Sequence, residues 1–185
     1  MRIAVYTGTF NPLHIGHQAI MERLTDSGAF DMVYLVVSAQ SPFKGAEHVK
    51  SARSRYRKAV AALRRHPGIM ARADDIELRM EPPSYTIRTL DALREREPGN
   101  SFTLVMGADN LAGISGWRDY KRILSEYGVV VYPRRGYDTE QIAARLHAEN
   151  PDYRISLLDA PRVDISSTRI RVAVARGEDM SEYLM

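Results

Sequence analysis

Two histidines three residues apart, His14 and His17, stand in the stretch GTFNPLHIGH at residues 8–17. One helical turn separates them, so both imidazoles can face one spot and stabilise a phosphate that gains charge. Ahead of them, Gly8 lets backbone approach a ligand closely, and Pro12 stiffens the turn. The helix that follows offers unpaired N–H groups at its start, which suits an anion. Three other readings stay open for the pair: a capping histidine, a histidine packed against a sheet, or an HxxH metal site, for which no third ligand is indicated nearby. The dinucleotide fingerprint GxGxxG and the P-loop are both absent, so redox dinucleotide binding and kinase-type transfer lose their usual supports.

More candidates follow along the chain. Lys44 is bracketed by Pro42 and Gly45 in SAQSPFKG, 38–45. In VMGADNLAGISGW, 105–117, Asp109 behind Gly107 can accept hydrogen bonds from ribose hydroxyls, and the Trp117 indole can stack on a flat ring. Arg134 and Arg135 stand in YPRRGY; the second reads as solvated surface. In ISSTRIR, 165–171, the Ser167 and Thr168 hydroxyls, with the N–H groups of a helix start, can hold phosphate oxygens, and Arg171 can add a charge-assisted clamp. Each also has a plainer reading: a surface lysine, a capping aspartate, a core tryptophan, an ordinary SST helix cap.

The elements that must position these residues are legible from hydrophobic patterning. Continuous apolar runs at 2–7, 32–38, 102–106, 128–133 and 154–160 read as buried strands, and IMARADDIELR, 69–79, as a further one. Between them, GHQAIMERL, RYRKAVAALRR, YTIRTLDALRE, YKRILSEY and TEQIAARLHAE carry apolar residues at helical spacing. Pro83 and Ser84 mark a helix start, with Ser84 placed to cap it. Strand alternating with helix predicts an α/β fold: a single doubly wound, Rossmann-like parallel sheet with helices on both faces. In such sheets ligands sit beyond the carboxyl ends of the strands, where strand order reverses, and every candidate above falls on a loop just after a strand or at a helix start.

Composition narrows the classes. A chain of 185 residues, 44% hydrophobic, with no internal repeat or low-complexity linker, reads as one domain over 1–185. The absence of cysteine removes disulfides, thiolate nucleophiles and cysteine-based zinc sites. Net charge is +3 and the sequence pI about 9.2, a balance that fits phosphate handling at least as well as nucleic-acid binding. No stretch approaches the roughly 20 apolar residues of a membrane span, and no basic-then-apolar leader is seen; the expectation is a cytoplasmic protein without a membrane partner.

GTFNPLHIGH has the form GxFxPxHxGH of the nucleotidyltransferase superfamily, with HIGH spelled as in class I aminoacyl-tRNA synthetases; the chain is too short for a synthetase and lacks a KMSKS-like loop. ISSTRIR resembles the triphosphate-binding ISSTxxR motif of small adenylyltransferases. Together with SYTIRTL at 84–90, GAD at 107–109 and Trp117 beyond it, in order over nearly the whole chain, the sequence resembles the bacterial nicotinate-mononucleotide adenylyltransferases. That resemblance implies transfer of AMP from ATP to nicotinate mononucleotide, releasing pyrophosphate and forming deamido-NAD, with Mg²⁺ held through the ATP phosphates and no metal held by the protein itself.

It further implies that His14, His17, Lys44 and Arg171 surround the reacting phosphates. Gly8, Thr9, Phe10, His17, Gly107, Asp109, Ser167, Thr168 and Arg171 would contact ATP, with the helix at 165–177 completing that site. Lys44, Thr86, Trp117 and Arg134 would contact the mononucleotide, with Trp117 on the nicotinic ring and backbone N–H groups around it receiving the carboxylate. Two departures stand out. Phe43 replaces the histidine that commonly precedes the loop lysine, and the chain stops at Met185, where relatives commonly add a last helix; a partner subunit filling that place, and so a homo-oligomer, is one expectation. The alternatives are the same chemistry on nicotinamide mononucleotide or phosphopantetheine, or a non-catalytic nucleotide- or RNA-binding module. Nucleic acid is not an expected partner.

Overall fold

The computed structural model describes residues 1–39, 47–160 and 165–185, with backbone alone for 47–51. Six parallel strands form one sheet in the order β3-β2-β1-β4-β5-β6. They are β1 (Arg2–Gly8), β2 (Met32–Val37), β3 (Ala71–Asp74), β4 (Ser101–Gly107), β5 (Val129–Tyr132) and β6 (Ile155–Leu157). Alternate residues of the apolar runs feed two separate cores. Ile3, Val5, Leu104, Met106 and Val131 pack on one face with Ile87, Leu90 and Leu93 of α4 (Thr86–Arg96) and with α5 (Ala108–Ala112) and α7 (Thr139–Glu149). Ala4, Tyr6, Leu35, Val37 and Val130 pack on the other with Met21 and Leu24 of α1 (Ile15–Asp26) and with Ala59 and Ala62 of α2 (Glu47–Arg65). Because both faces are covered, the strands read as unbroken apolar runs rather than alternating ones.

Strands β1 and β4 are neighbours at the sheet centre, yet β1 leads to a helix on one face and β4 to a helix on the other. A crevice opens where two such connections diverge. Its edges are aligned by register: Gly8 pairs with Val37, and Gly107 with Tyr132, so four strand ends lie level.

Local departures from the periodicity have identifiable causes. The expected strand at 69–79 runs only over Ala71–Asp74, because the Asp74 carboxylate accepts the Ile76 amide at 3.0 Å and turns the chain into α3 (Ile76–Arg79). Two nitrogens of Arg96 hold the same carboxylate at 3.0 and 2.6 Å, so the turn is anchored to the end of α4. Helix α4 begins at Thr86 with Tyr85 at its N-cap, and Ser84, expected as the cap, does not make that bond. The pattern at 120–127 divides into α6 (Tyr120–Arg122) and a π-helical turn over Ile123–Tyr127. The last helix, α8, spans Ser167–Ala175.

Candidate active site

The loop between β1 and α1 builds the first wall. Phe10 takes a left-handed backbone conformation at φ 44°, uncommon for a residue with a side chain. Its buried ring packs edge-on against Tyr6 at 5.4 Å and His17 at 5.2 Å. A side chain at position 8 would put its Cβ 2.9 Å from that ring, which is why glycine stands there.

His14 is the N-cap of α1, and its Nδ1 accepts the Gly16 amide at 3.2 Å; His17, inside the first turn, accepts the His14 amide on its own Nδ1 at 3.2 Å. This is a reciprocal capping box with two imidazoles in place of the usual hydroxyl and carboxamide. It brings the ring centroids to 3.7 Å. An imidazole that accepts on Nδ1 carries its proton on Nε2 when neutral. Both rings are held neutral: burial, with the positive charge of Arg134, pulls His14 down to about 4, and burial, with His14 and Arg134, holds His17 well below the usual histidine range. The pair is therefore two fixed N–H donors, and both line one cleft of about 440 Å³.

Helix α8 closes that cleft from the far end of the chain. Ser166 caps it, accepting the Arg169 amide at 3.2 Å, and this leaves the Ser167 hydroxyl free to donate to the carbonyl of Pro12 at 3.0 Å. Arg171 donates to the carbonyl of Asn11 at 2.7 Å and to the Thr168 hydroxyl at 3.1 Å. Ser167 lines the cleft, whereas Thr168 and Arg171 are exposed beside it. Tyr6 and Tyr132 complete its floor, with ring centroids 6.0 Å apart. Arg134 enters from the β5 end, donating to the Tyr132 hydroxyl at 3.2 Å, and Arg135, expected as plain surface, is exposed on the rim. Among its described lining residues there is no carboxylate. The cleft thus offers donors and positive charge, an arrangement that attracts an anion.

At Gly107, the N-cap of α5, a Cβ would displace the Asp109 carboxylate and lie 3.1 Å from Nε of Arg134. Asp109 stands 3.6 Å from that Nε. Thr86 and Trp117 lie elsewhere, on the face of the sheet that α4 covers. Thr86 opens α4, Trp117 is half-buried against the core, and the Arg118 guanidinium sits 4.9 Å over the Tyr85 ring between them. The Trp117 amide, expected among donors to a carboxylate, donates to the Ile114 carbonyl at 2.8 Å. Lys44 and Phe43 lie outside the described residues.

His14, His17 and Ser167, singled out from the sequence, come together at one cleft, and Tyr6 and Tyr132, which also line it, were not singled out. Each tyrosine ends an apolar strand run just where the sheet meets the crevice, which is the signal that could have found them.

The fold and a cleft that offers imidazole, hydroxyl and guanidinium donors suit a nucleotidyltransferase, and the family model for cytidylyltransferase-like proteins matches residues 5–173. A Flavobacterium johnsoniae protein named "Probable nicotinate-nucleotide adenylyltransferase" is 34% identical over 184 residues, spanning 100% of this chain and 92% of the relative. One of the same name from Cytophaga hutchinsonii is 35% identical over 185 residues, spanning 100% and 91%. The chain belongs to the cytidylyltransferase-like family and, within it, to the nicotinate-nucleotide adenylyltransferases. The fold is also that of the Plasmodium falciparum nicotinic acid mononucleotide adenylyltransferase, solved in complex with NaAD (TM-score 0.77) and with APC (TM-score 0.74); each comparison is at 17% identity and covers 99% of this chain and 90% of the other.

Proposed function

We propose that this chain transfers AMP from ATP to nicotinate mononucleotide, forming deamido-NAD and pyrophosphate, a step of NAD biosynthesis. The observation that carries the reading is the imidazole capping box, which fixes two Nε2–H donors on one anion cleft. An oxygen of the mononucleotide phosphate attacks the α-phosphorus of ATP in line. The new P–O bond forms as the bond to the bridging oxygen breaks, and the electron pair leaves with pyrophosphate. No protein nucleophile is required, so the protein's contribution is placement and charge stabilisation.

His14 and His17 donate to phosphate oxygens as charge shifts toward the leaving group. Ser167, Thr168 and Arg171 hold the triphosphate from α8, and Gly8, Thr9 and Phe10 supply backbone against the nucleotide. Gly107 permits the close approach at which Asp109 accepts from the adenosine ribose. Arg134, Lys44, Thr86 and Trp117 receive the mononucleotide. The chain acts as one domain, with α8 completing the ATP side.

The described residues include no group of histidine and carboxylate side chains able to hold a metal ion, and the cleft is lined by imidazole, guanidinium and hydroxyl groups. Mg²⁺ prefers oxygen ligands and keeps several waters, so it fits this site as a passenger on the triphosphate, held through the residues that hold the phosphates. When bound, it neutralises phosphate charge. Among the described residues no helix is long and apolar enough to cross a membrane, and a cytoplasmic location fits that observation.

The test is pyrophosphate release with ATP and Mg²⁺ and, in turn, nicotinate mononucleotide, nicotinamide mononucleotide and phosphopantetheine. Fastest turnover with the first supports the reading. Preference for either of the others reassigns the acceptor, and tight nucleotide binding without turnover on any of them would leave a binding module.

A further inference from the structure

Three buried polar side chains outside the cleft connect the walls of the site. Arg55 on α2 is only 5% exposed, and its fork spans two strand ends: Nη1 donates to the Thr9 carbonyl at 2.7 Å and Nη2 to the Ser38 carbonyl at 2.8 Å. Glu77 on α3 is 4% exposed; one carboxylate oxygen accepts the Thr89 hydroxyl at 2.9 Å and the other the Ala39 amide at 3.4 Å. Thr89, fully buried, lies one turn along α4 from Thr86. It is the second threonine of SYTIRTL, a motif whose first threonine alone has a role in the reading above.

We propose that Arg55, Glu77 and Thr89 are positioning residues that lock the acceptor side of the site, meaning the chain leaving β2 and the start of α4, in fixed register with the phosphate loop after β1. The proposal rests on the function argued above. A buried carboxylate and guanidinium are costly to desolvate, and apolar side chains would fill the same space at less cost, so packing alone does not account for them. What they accomplish is directional. Backbone groups of Thr9, Ser38 and Ala39, from two different loops, are each bonded to one of the pair, and Thr89 ties α4 to the same carboxylate. Burial pushes the Glu77 carboxyl up to about 7 against the opposing bonds from Thr89 and Ala39 and the charge of Arg55, so loss of any one partner shifts its charge state near neutral pH.

The experiment compares Thr89→Val, Thr89→Ser and Glu77→Gln with the unmodified protein, reading KM for each substrate, kcat and melting temperature. Thr89→Val keeps the shape and removes the hydroxyl. It is expected to raise KM for nicotinate mononucleotide about tenfold, the worth of one bond to a charged group, with KM for ATP nearly unchanged. Thr89→Ser should restore the normal value, and Glu77→Gln should show the same split as Thr89→Val. Equal effects on both substrates, or lowered melting temperature with unchanged KM values, would overturn the proposal, as would failure of both Thr89→Val and Glu77→Gln to fold. Should the unmodified protein turn over a different acceptor, the functional reading falls while the split is read with that acceptor instead; absence of any turnover overturns both.

Discussion

Arg171 donates to the backbone carbonyl of Asn11 at 2.7 Å, joining the last helix to the first loop across 160 positions of sequence. Ser167 repeats the connection one residue on, at Pro12. The two motifs proposed to hold the triphosphate therefore hold each other. With Arg171→Lys the charge remains but the fork that reaches both Asn11 and Thr168 is lost. KM for ATP should rise by about tenfold, and more for Arg171→Ala. Steady-state kinetics at saturating acceptor measures this; an unchanged KM for ATP in both variants would remove Arg171 from the site.

His17 caps α1 through Nδ1 and, in the proposed reading, also presents Nε2–H to the cleft. His17→Ala loses both, so it should cost about 1 kcal/mol of stability and about a hundredfold to a thousandfold in kcat. Glutamine is a natural third-position partner in a capping box. His17→Gln should therefore recover most of the stability and little of the turnover. Near-normal turnover in His17→Ala would sink the assigned role.

Burial of the histidine pair makes a pH prediction with a definite sign. Histidines of an unfolded chain titrate near about 6.5, whereas in the folded protein burial and the charge of Arg134 pull His14 down to about 4 and hold His17 well below the usual histidine range. As pH falls from about 6.5 toward 4, the unfolded chain gains protons that the folded one refuses, so their contribution to stability is lost in that window. Glu77 acts oppositely: with its carboxyl raised to about 7, the folded state takes up a proton first as pH falls. Urea midpoints at pH 7 and pH 5, compared between the unmodified protein and His14→Gln, isolate the histidine part. The drop should be smaller in the variant; an equal drop would show that His14 is not held neutral.

The contact between Gly8 and Phe10 predicts a large effect from one methyl group. In Gly8→Ala the new Cβ falls 2.9 Å from the Phe10 ring, which has little freedom because its backbone is left-handed and its ring is buried. The loop must shift, and misplacement on the ångström scale costs up to about a hundredfold in rate. Trimming the obstacle in a Gly8→Ala, Phe10→Leu double variant should recover part of the loss in kcat/KM for ATP. A double variant worse than the product of its singles would point to another cause.

The strands β1, β2, β4 and β5 were legible because a parallel sheet covered on both faces demands unbroken apolar runs, whereas the buried strand expected over 154–160 is a short edge strand, Ile155–Leu157, with Ser156 and Leu157 exposed. The segment at 69–79 was legible only in its first half: nothing in ARADDIELR declares that Asp74 will be claimed by Arg96 and turn the chain. Among site residues, the histidine pair was visible by spacing. A capping histidine was one of the readings left open, but that the two rings cap reciprocally was not visible, because spacing does not show which ring nitrogen meets which amide. Ser166, rather than Ser167, caps α8, a one-residue distinction that matters because it frees Ser167 to reach Pro12.

The sequence by itself determined the layered α/β architecture and the family, since these rest on periodicity and on side chains whose types are themselves the signal. Only the tertiary structure decided how the loops are fastened together. Arg55, Ser167 and Arg171 each reach backbone carbonyls, those of Thr9, Ser38, Pro12 and Asn11, and the amide that Glu77 receives belongs to Ala39. Every residue has a carbonyl, so such an acceptor leaves no mark on the sequence and becomes specific only when the fold brings it within reach.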